Sequence, residues 1–224
     1  TRLGALSQAR MNHSATLLDS GKVLIVGGYG SNQALTHCEL FNPGTERFEP
    51  AAPLPAARMQ HTATLLTNGR VMVAGGAGEP FGQEQLDTYL YDPVQDAWRS
   101  GAPMQRGHKG HTATLLPSGK LLVAGHTHLP YRPSLELYDP GEDAWVLQGE
   151  LSELRFAHTA TLLPGTQGVL LCGGQLLMSD TAYTDSCERH GGESDIVAGR
   201  VQGGCAARAG AVEDCFLHQQ YQTY

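Results

Sequence analysis

Four short runs of unbroken apolar residues stand out along the chain: Val23-Leu24-Ile25-Val26, Val71-Met72-Val73-Ala74, Leu121-Leu122-Val123-Ala124 and Val169-Leu170-Leu171-Cys172. Continuous rather than alternating hydrophobicity over four residues predicts a strand buried on both faces. Each run follows a second, mixed strand pattern, His-Ser/Thr-Ala-Thr-Leu-Leu, beginning at His13, His61, His111 and His158. Between the two lies a turn dipeptide, Ser20-Gly21, Asn68-Gly69 or Ser118-Gly119, with Gly supplying the positive φ that a two-residue hairpin needs. Gly-Gly closes three of the four apolar runs. The pattern predicts a hairpin of strands A and B, repeated four times at a period of about fifty residues.

The second half of each unit repeats too. Glu39-Leu40-Phe41-Asn42-Pro43, Tyr89-Leu90-Tyr91-Asp92-Pro93 and Glu136-Leu137-Tyr138-Asp139-Pro140 predict a strand C that ends at proline, which cannot donate to a sheet ladder. Phe48, Trp98 and Trp145 follow on a strand D, where they read as packing anchors between units. An arginine precedes each histidine strand: Arg10, Arg58, Arg106 and Arg155.

These residues together resemble the kelch repeat in its bacterial form, over residues 1–174. The resemblance implies an all-β fold, a β-propeller of four-stranded antiparallel blades, with four recognisable repeats and the last one degenerate. It implies no chemistry by itself, since propellers host many functions. Residues 4–10 match residues 149–155, so residues 1–9 are expected to be the end of a preceding or closing blade strand. The chain is then a fragment of a longer propeller, or its opening strand completes the final blade. Residues 175–224 are expected to hold the degenerate end of the last blade and a Cys-containing tail. Within them, Ala182-Tyr183-Thr184-Asp185 is a candidate strand C, and residues 196–201 a candidate strand D.

In an up-and-down blade the A–B and C–D turns share one face, and the B–C and D–A loops the other. The first set is short and regular and the second variable, and variable loops on a rigid frame are where binding usually lives. The arginines and the starts of the histidine strands lie on the variable face. Their recurrence once per blade argues for a structural role. The functional alternative is a ring of arginines receiving an anionic ligand, for which the guanidinium fork is suited.

Departures from the repeat are more informative. The third unit has an enlarged D–A loop carrying His108 and Lys109, and Gly125-His126-Thr127-His128 where the others have Gly-Gly. The candidate binding residues are therefore Arg58, Arg106, His108, His126, His128, Tyr131 and Arg132. His108, His126 and His128 are also the only candidates for a metal site, imidazole being a ligand for zinc, copper or iron. Some kelch-type propellers are copper-radical alcohol oxidases resembling galactose oxidase, but no matching Cys–Tyr context is present here. Nor is there a nucleophile elbow or a Ser/His/Asp order. No catalytic residue and no cofactor is assigned.

Composition narrows the classes further. Hydrophobic residues make up 41% and charged residues 17% of 224, an ordinary globular balance. A net charge of −7 argues against a general nucleic-acid binder. No apolar run reaches the roughly 18 residues of a transmembrane helix. The five cysteines leave two readings open. Either the strand cysteines Cys38 and Cys172 are buried and reduced, or a disulfide forms within the tail or from the tail to Cys172, in an oxidising compartment. The expectation is a non-enzymatic module that presents its variable loops to a protein, peptide or glycan, outside the cell or in its envelope, with a cytoplasmic location the other option. A metal-dependent oxidase and a structural spacer of a larger surface protein are the alternatives.

Overall fold

A computed structural model describes residues 4–79, 82–125, 133–166, 168–176 and 182–191. The architecture is all-β, with four antiparallel sheets arranged as the blades of a propeller. Blade 1 contains β1 (Ser14–Leu17) and β2 (Val23–Val26). A small ribbon follows, β3 (Tyr29–Gly30) with β4 (Gln33–Ala34), and then β5 (Cys38–Asn42) and β6 (Arg47–Ala51). Blade 2 runs β7 (Thr62–Leu65), β8 (Val71–Ala74), β9 (Tyr89–Asp92), β10 (Ala97–Ser100). Blade 3 runs β11 (Thr112–Leu115), β12 (Leu121–Gly125), β13 (Ser134–Asp139), β14 (Ala144–Glu150). Blade 4 has β15 (Thr159–Leu162), β16 (Val169–Cys172) and β17 (Cys187–His190), three strands among the described residues.

The pairing is the up-and-down order expected from the repeat, with strand B central on both ladders: Ala63 faces Val73, and Val73 faces Tyr89. Core residues lie between blades rather than within them. Leu24, Val26 and Cys38 of blade 1 pack with Val71, Val73 and Tyr91 of blade 2. Met72 and Leu90 of blade 2 pack with Leu121, Val123 and Trp145 of blade 3. Leu122 and Leu135 of blade 3 pack with Val169 and Leu171 of blade 4. That is why strand B is apolar at every position: β8 and β12 are buried throughout. Each fully buried aliphatic side chain contributes about 2 kcal/mol of transfer free energy.

The strand-D aromatics are the anchors the sequence suggests. Trp98 stacks on Tyr91 at 4.9 Å and donates its indole N–H to Ala52 O of the preceding blade; Trp145 does the same with Tyr138 at 5.0 Å and Ala102 O. The Gly-Gly pairs lie where backbones from neighbouring blades converge. A Cβ on Gly75, at φ 64°, would collide with His108 O and the His111 ring of blade 3, and one on Gly76, at φ 90°, would stand 2.6 Å from Met59 O and 2.9 Å from His61 Cβ of its own blade.

The structure differs from the sequence reading in blade 4. Strand C is Cys187–His190 and not residues 182–185, which form a loop touching Gln175 through an isolated bridge at Tyr183. In this register Cys187 lies opposite Cys172, and the two form a disulfide. Cys38 is free and buried. Residues 196–201, the candidate strand D, lie outside the described residues.

Candidate functional site: the loop face of the blades

The B–C and D–A segments meet at one end of the blades. Bridges join Met11 to Tyr29, Met59 to Ala77 and Phe156 to Gln175, each linking a D–A segment to a B–C segment of its own blade. Beneath these loops runs a layer of buried charge. In blade 1, Arg10 Nη2 donates to Glu39 Oε1 at 2.6 Å, and its Nη1 to Gly27 O and His37 O. In blade 4, Arg155 Nε and Nη2 both reach Glu188 Oε1, at 3.2 and 2.9 Å, while Nη1 donates to Gly173 O and Ser186 O. Burial alone would raise the Glu188 carboxyl, but hydrogen bonds from His190, Ser152 and Arg155 outweigh it and bring it to about 2. The pairs clamp the D–A loop onto strand C and onto the end of strand B.

Blades 2 and 3 each lack one half of that pair. Blade 2 keeps the arginine, but Tyr89 stands at the register position of Glu39 and Glu136. Arg58 is fully buried, with Nη1 donating to Gly75 O and Asp87 O and its Cζ 4.8 Å over the Tyr89 ring. Its Nε and Nη2 have no hydrogen-bond partner. Burial lowers the guanidinium to about 10, so it remains charged at neutral pH. Blade 3 keeps the glutamate and lacks the arginine. His108, three residues before His111, takes the place that Arg58 holds before His61 and contacts Glu136 at 3.1 Å, with both side chains fully buried.

Arg106 is thus not the equivalent of Arg10, Arg58 and Arg155, as its residue type suggests. It lies two residues before that position, a quarter exposed, with Nη1 3.6 Å from Glu150 at the rim. Its backbone N–H and that of Gln105 donate to the Glu136 carboxylate.

The repeated histidines join the blades to one another. His61 Nε2 is hydrogen-bonded to Ser14 Oγ at 2.8 Å, His111 Nε2 to Thr62 Oγ1 at 2.9 Å, and His158 Nε2 to Thr112 Oγ1 at 2.9 Å. Burial, reinforced by the Arg58 charge, takes His61 down to about 3; burial and Arg155 take His158 to about 4. His111 is held well below its ordinary value by burial. All three are neutral at physiological pH and are poor proton shuttles there.

Of the residues singled out in the sequence, Arg58 and His108 therefore lie inside blades 2 and 3, and Arg106 lies at the rim. His126, His128, Tyr131 and Arg132 lie outside the described residues. Among the described residues no group of three or more His, Cys, Asp or Glu is placed to hold a metal ion. The glutamate partners, Glu39, Glu136 and Glu188, were legible only as the first residue of Glu-Leu-Tyr and its variants. Among the described residues the loop segments expose the large apolar side chains Met11, 58% accessible, Leu86, 44%, and Tyr183, 72%.

The family model of the kelch motif matches residues 10–55, which span the first unit from Arg10 through β6. No curated protein matches the sequence. Among solved structures, the one titled "Structure of YjhT" superposes with a TM-score of 0.67 at 17% identity, covering 92% of this chain and 69% of that one. The arginine–glutamate clamps, the histidine links and the blade order recur across units that the motif model does not itself cover. The described residues form four blades of a β-propeller, the first of which matches the kelch motif.

Proposed function

We propose that the protein is a non-enzymatic binding module whose B–C and D–A loops receive a protein partner. One observation carries this reading. The arginines and histidines repeated from blade to blade are mostly engaged within and between blades, whereas the exposed apolar side chains Leu86 and Tyr183 sit on loops of the variable face. An apolar anchor is the usual core of a recognition surface. Kelch propellers characteristically bind proteins, which favours a protein or peptide over a glycan. The Cys172–Cys187 disulfide supports a working location that is oxidising, outside the cell or in its envelope.

The test is capture from an extract of the source cells on immobilised protein, run in parallel with a glycan array. Wild type is compared with Leu86→Ser, Tyr183→Ser and, on the opposite face, Val94→Ser, a 93% exposed residue of a C–D turn. The reading expects the first two variants to lose a retained species that Val94→Ser keeps. Equal retention by all four proteins would remove the loop face as the site.

A further inference from the structure

The A–B turn of blade 2 differs from its siblings in the residue ahead of its glycine. Blades 1 and 3 turn through Ser20-Gly21 and Ser118-Gly119, blade 2 through Asn68-Gly69. The backbone is the same in all three. Gly21 N–H donates to Leu18 O, Gly69 N–H to Leu66 O at 3.0 Å and Gly119 N–H to Leu116 O, with the glycines at φ 78 to 85°. The side chain ahead of the glycine has the same task as well. Ser20 Oγ and Ser118 Oγ each accept the N–H two residues on, at 3.4 Å, and Asn68 Oδ1 accepts that of Arg70 at 3.1 Å. A serine hydroxyl therefore suffices for the turn. Asparagine adds what serine lacks, an electrophilic amide carbon, Cγ.

The surroundings favour attack on that carbon. Asn68 is exposed, so water and base reach it. Its successor is glycine, with no side chain to shield the backbone nitrogen; a Cβ there would have only Asp19 Oδ2 within 4 Å, at 3.5 Å. The bond from Arg70 N–H folds the Asn68 side chain back along its own backbone. The same N–H stabilises the negative charge that develops on Oδ1 as a nucleophile adds to Cγ, as a donor in an oxyanion hole does.

We propose that Asn68 is a modification site at which the folded protein converts to aspartate and isoaspartate. The Gly69 backbone nitrogen forms a bond to Asn68 Cγ, the bond from Cγ to the side-chain nitrogen breaks, and the Gly69 proton leaves with that nitrogen as ammonia. Water then opens the cyclic imide. Cleavage at Cγ leaves aspartate; cleavage at the backbone carbonyl leaves isoaspartate, with an extra main-chain carbon. That carbon lengthens a turn whose strands are held in register by Leu66 N–H to Arg70 O at 2.8 Å, with Leu65 opposite Val71. The turn also lies against both neighbours: a Cβ on Gly69 would first meet Asp19 of blade 1, and one on Gly119 of blade 3 would first meet Thr67. Isoaspartate at this position loosens the blade 2 hairpin where it borders blades 1 and 3.

The chain carries its own controls. Asn42 Oδ1 accepts Gly44 N–H at 3.0 Å in the same way, but Pro43 follows, and its nitrogen has no proton to lose. Asn12 and Asn32 are exposed and are followed by His13 and Gln33, whose side chains flank the nitrogen.

Peptide mapping by mass spectrometry tests this on native protein incubated in mildly alkaline buffer, with an isoaspartyl methyltransferase as the probe of the product. Asn68 should convert about tenfold faster, or more, than Asn12 or Asn32, equivalent to roughly 1.4 kcal/mol of barrier, and Asn42 should stay unchanged. Asn68→Ser, which copies blades 1 and 3, should take up no methyl label. It should also keep its urea midpoint on incubation, while that of wild type falls. Conversion of Asn68 no faster than that of Asn12 and Asn32, or confined to protein unfolded in urea, would overturn the proposal. So would an incubated wild type that has formed isoaspartate and still unfolds at the midpoint of fresh protein.

Discussion

The Arg58 guanidinium lies 4.8 Å above the Tyr89 ring at the place where Arg10 and Arg155 grip a glutamate. One blade thus holds a buried positive charge by stacking and two backbone carbonyls, and its siblings hold theirs by an ion pair. Removing the two arginines should have different consequences. Arg155→Met strands the Glu188 carboxylate in a buried site, a loss of about 3–5 kcal/mol. Arg58→Met frees only the carbonyls of Gly75 and Asp87, at a cost of about 1–3 kcal/mol. Urea unfolding of the two variants checks the order. Tyr89→Glu should be better tolerated with Arg58 present than in Arg58→Met, with a coupling of about 2 kcal/mol.

The buried histidines make stability fall with acid. Their folded pKa values lie below the unfolded value of about 6.5, so the unfolded chain binds more protons as pH drops. Their contribution is complete above pH ~6.5 and is lost as pH falls toward about 3 for His61 and about 4 for His158. Each should remove about 1 kcal/mol between pH 6.5 and 5.5, before carboxylates such as Glu188 begin to protonate. Urea unfolding at pH 7.5, 6.5 and 5.5 measures the slope. His61→Gln should flatten it by about one third, because His111 and His158 remain.

The disulfide ties strand C of blade 4 to strand B, closing a loop of 15 residues. Non-reducing peptide mapping should recover Cys172 joined to Cys187. Replacing both by serine should cost up to about 3 kcal/mol. Cys38, buried in the core between blades 1 and 2 and pushed up to about 11 mainly by that burial, should resist alkylation until the chain unfolds.

Glycine substitutions separate turn conformation from close packing. Gly21 and Gly76 both have positive φ, but a Cβ on Gly21 meets nothing within 4 Å, while one on Gly76 meets the backbone of the D–A segment. Gly21→Ala should cost about 1 kcal/mol; Gly76→Ala should cost at least twice that, because Met59 and His61 must move. Thermal unfolding of the pair decides it.

Most of the fold was legible because period and burial are local signals. Unbroken apolar runs between turn glycines announce a doubly buried strand whatever the blade neighbours are. The candidate site was less legible. Residue type drew attention to Arg106, but position is fixed by the count of three to the following histidine, which selects His108. Strand C of blade 4 was obscured because Arg189 and His190 replace the Leu-Tyr of its siblings; only the glutamate at Glu188 marked it. The partner halves, glutamate for arginine and hydroxyl for histidine, sit tens of residues apart and become visible only in three dimensions.

The central claim is that the repeated arginines and histidines hold the blades together while the variable loops do the binding. Capture on immobilised wild type, Leu86→Ser, Tyr183→Ser and Val94→Ser, at matched folded fraction, tests it most directly. The account predicts a retained protein that is lost with the two loop variants and kept with Val94→Ser. Loss with Val94→Ser and retention by the loop variants would contradict it.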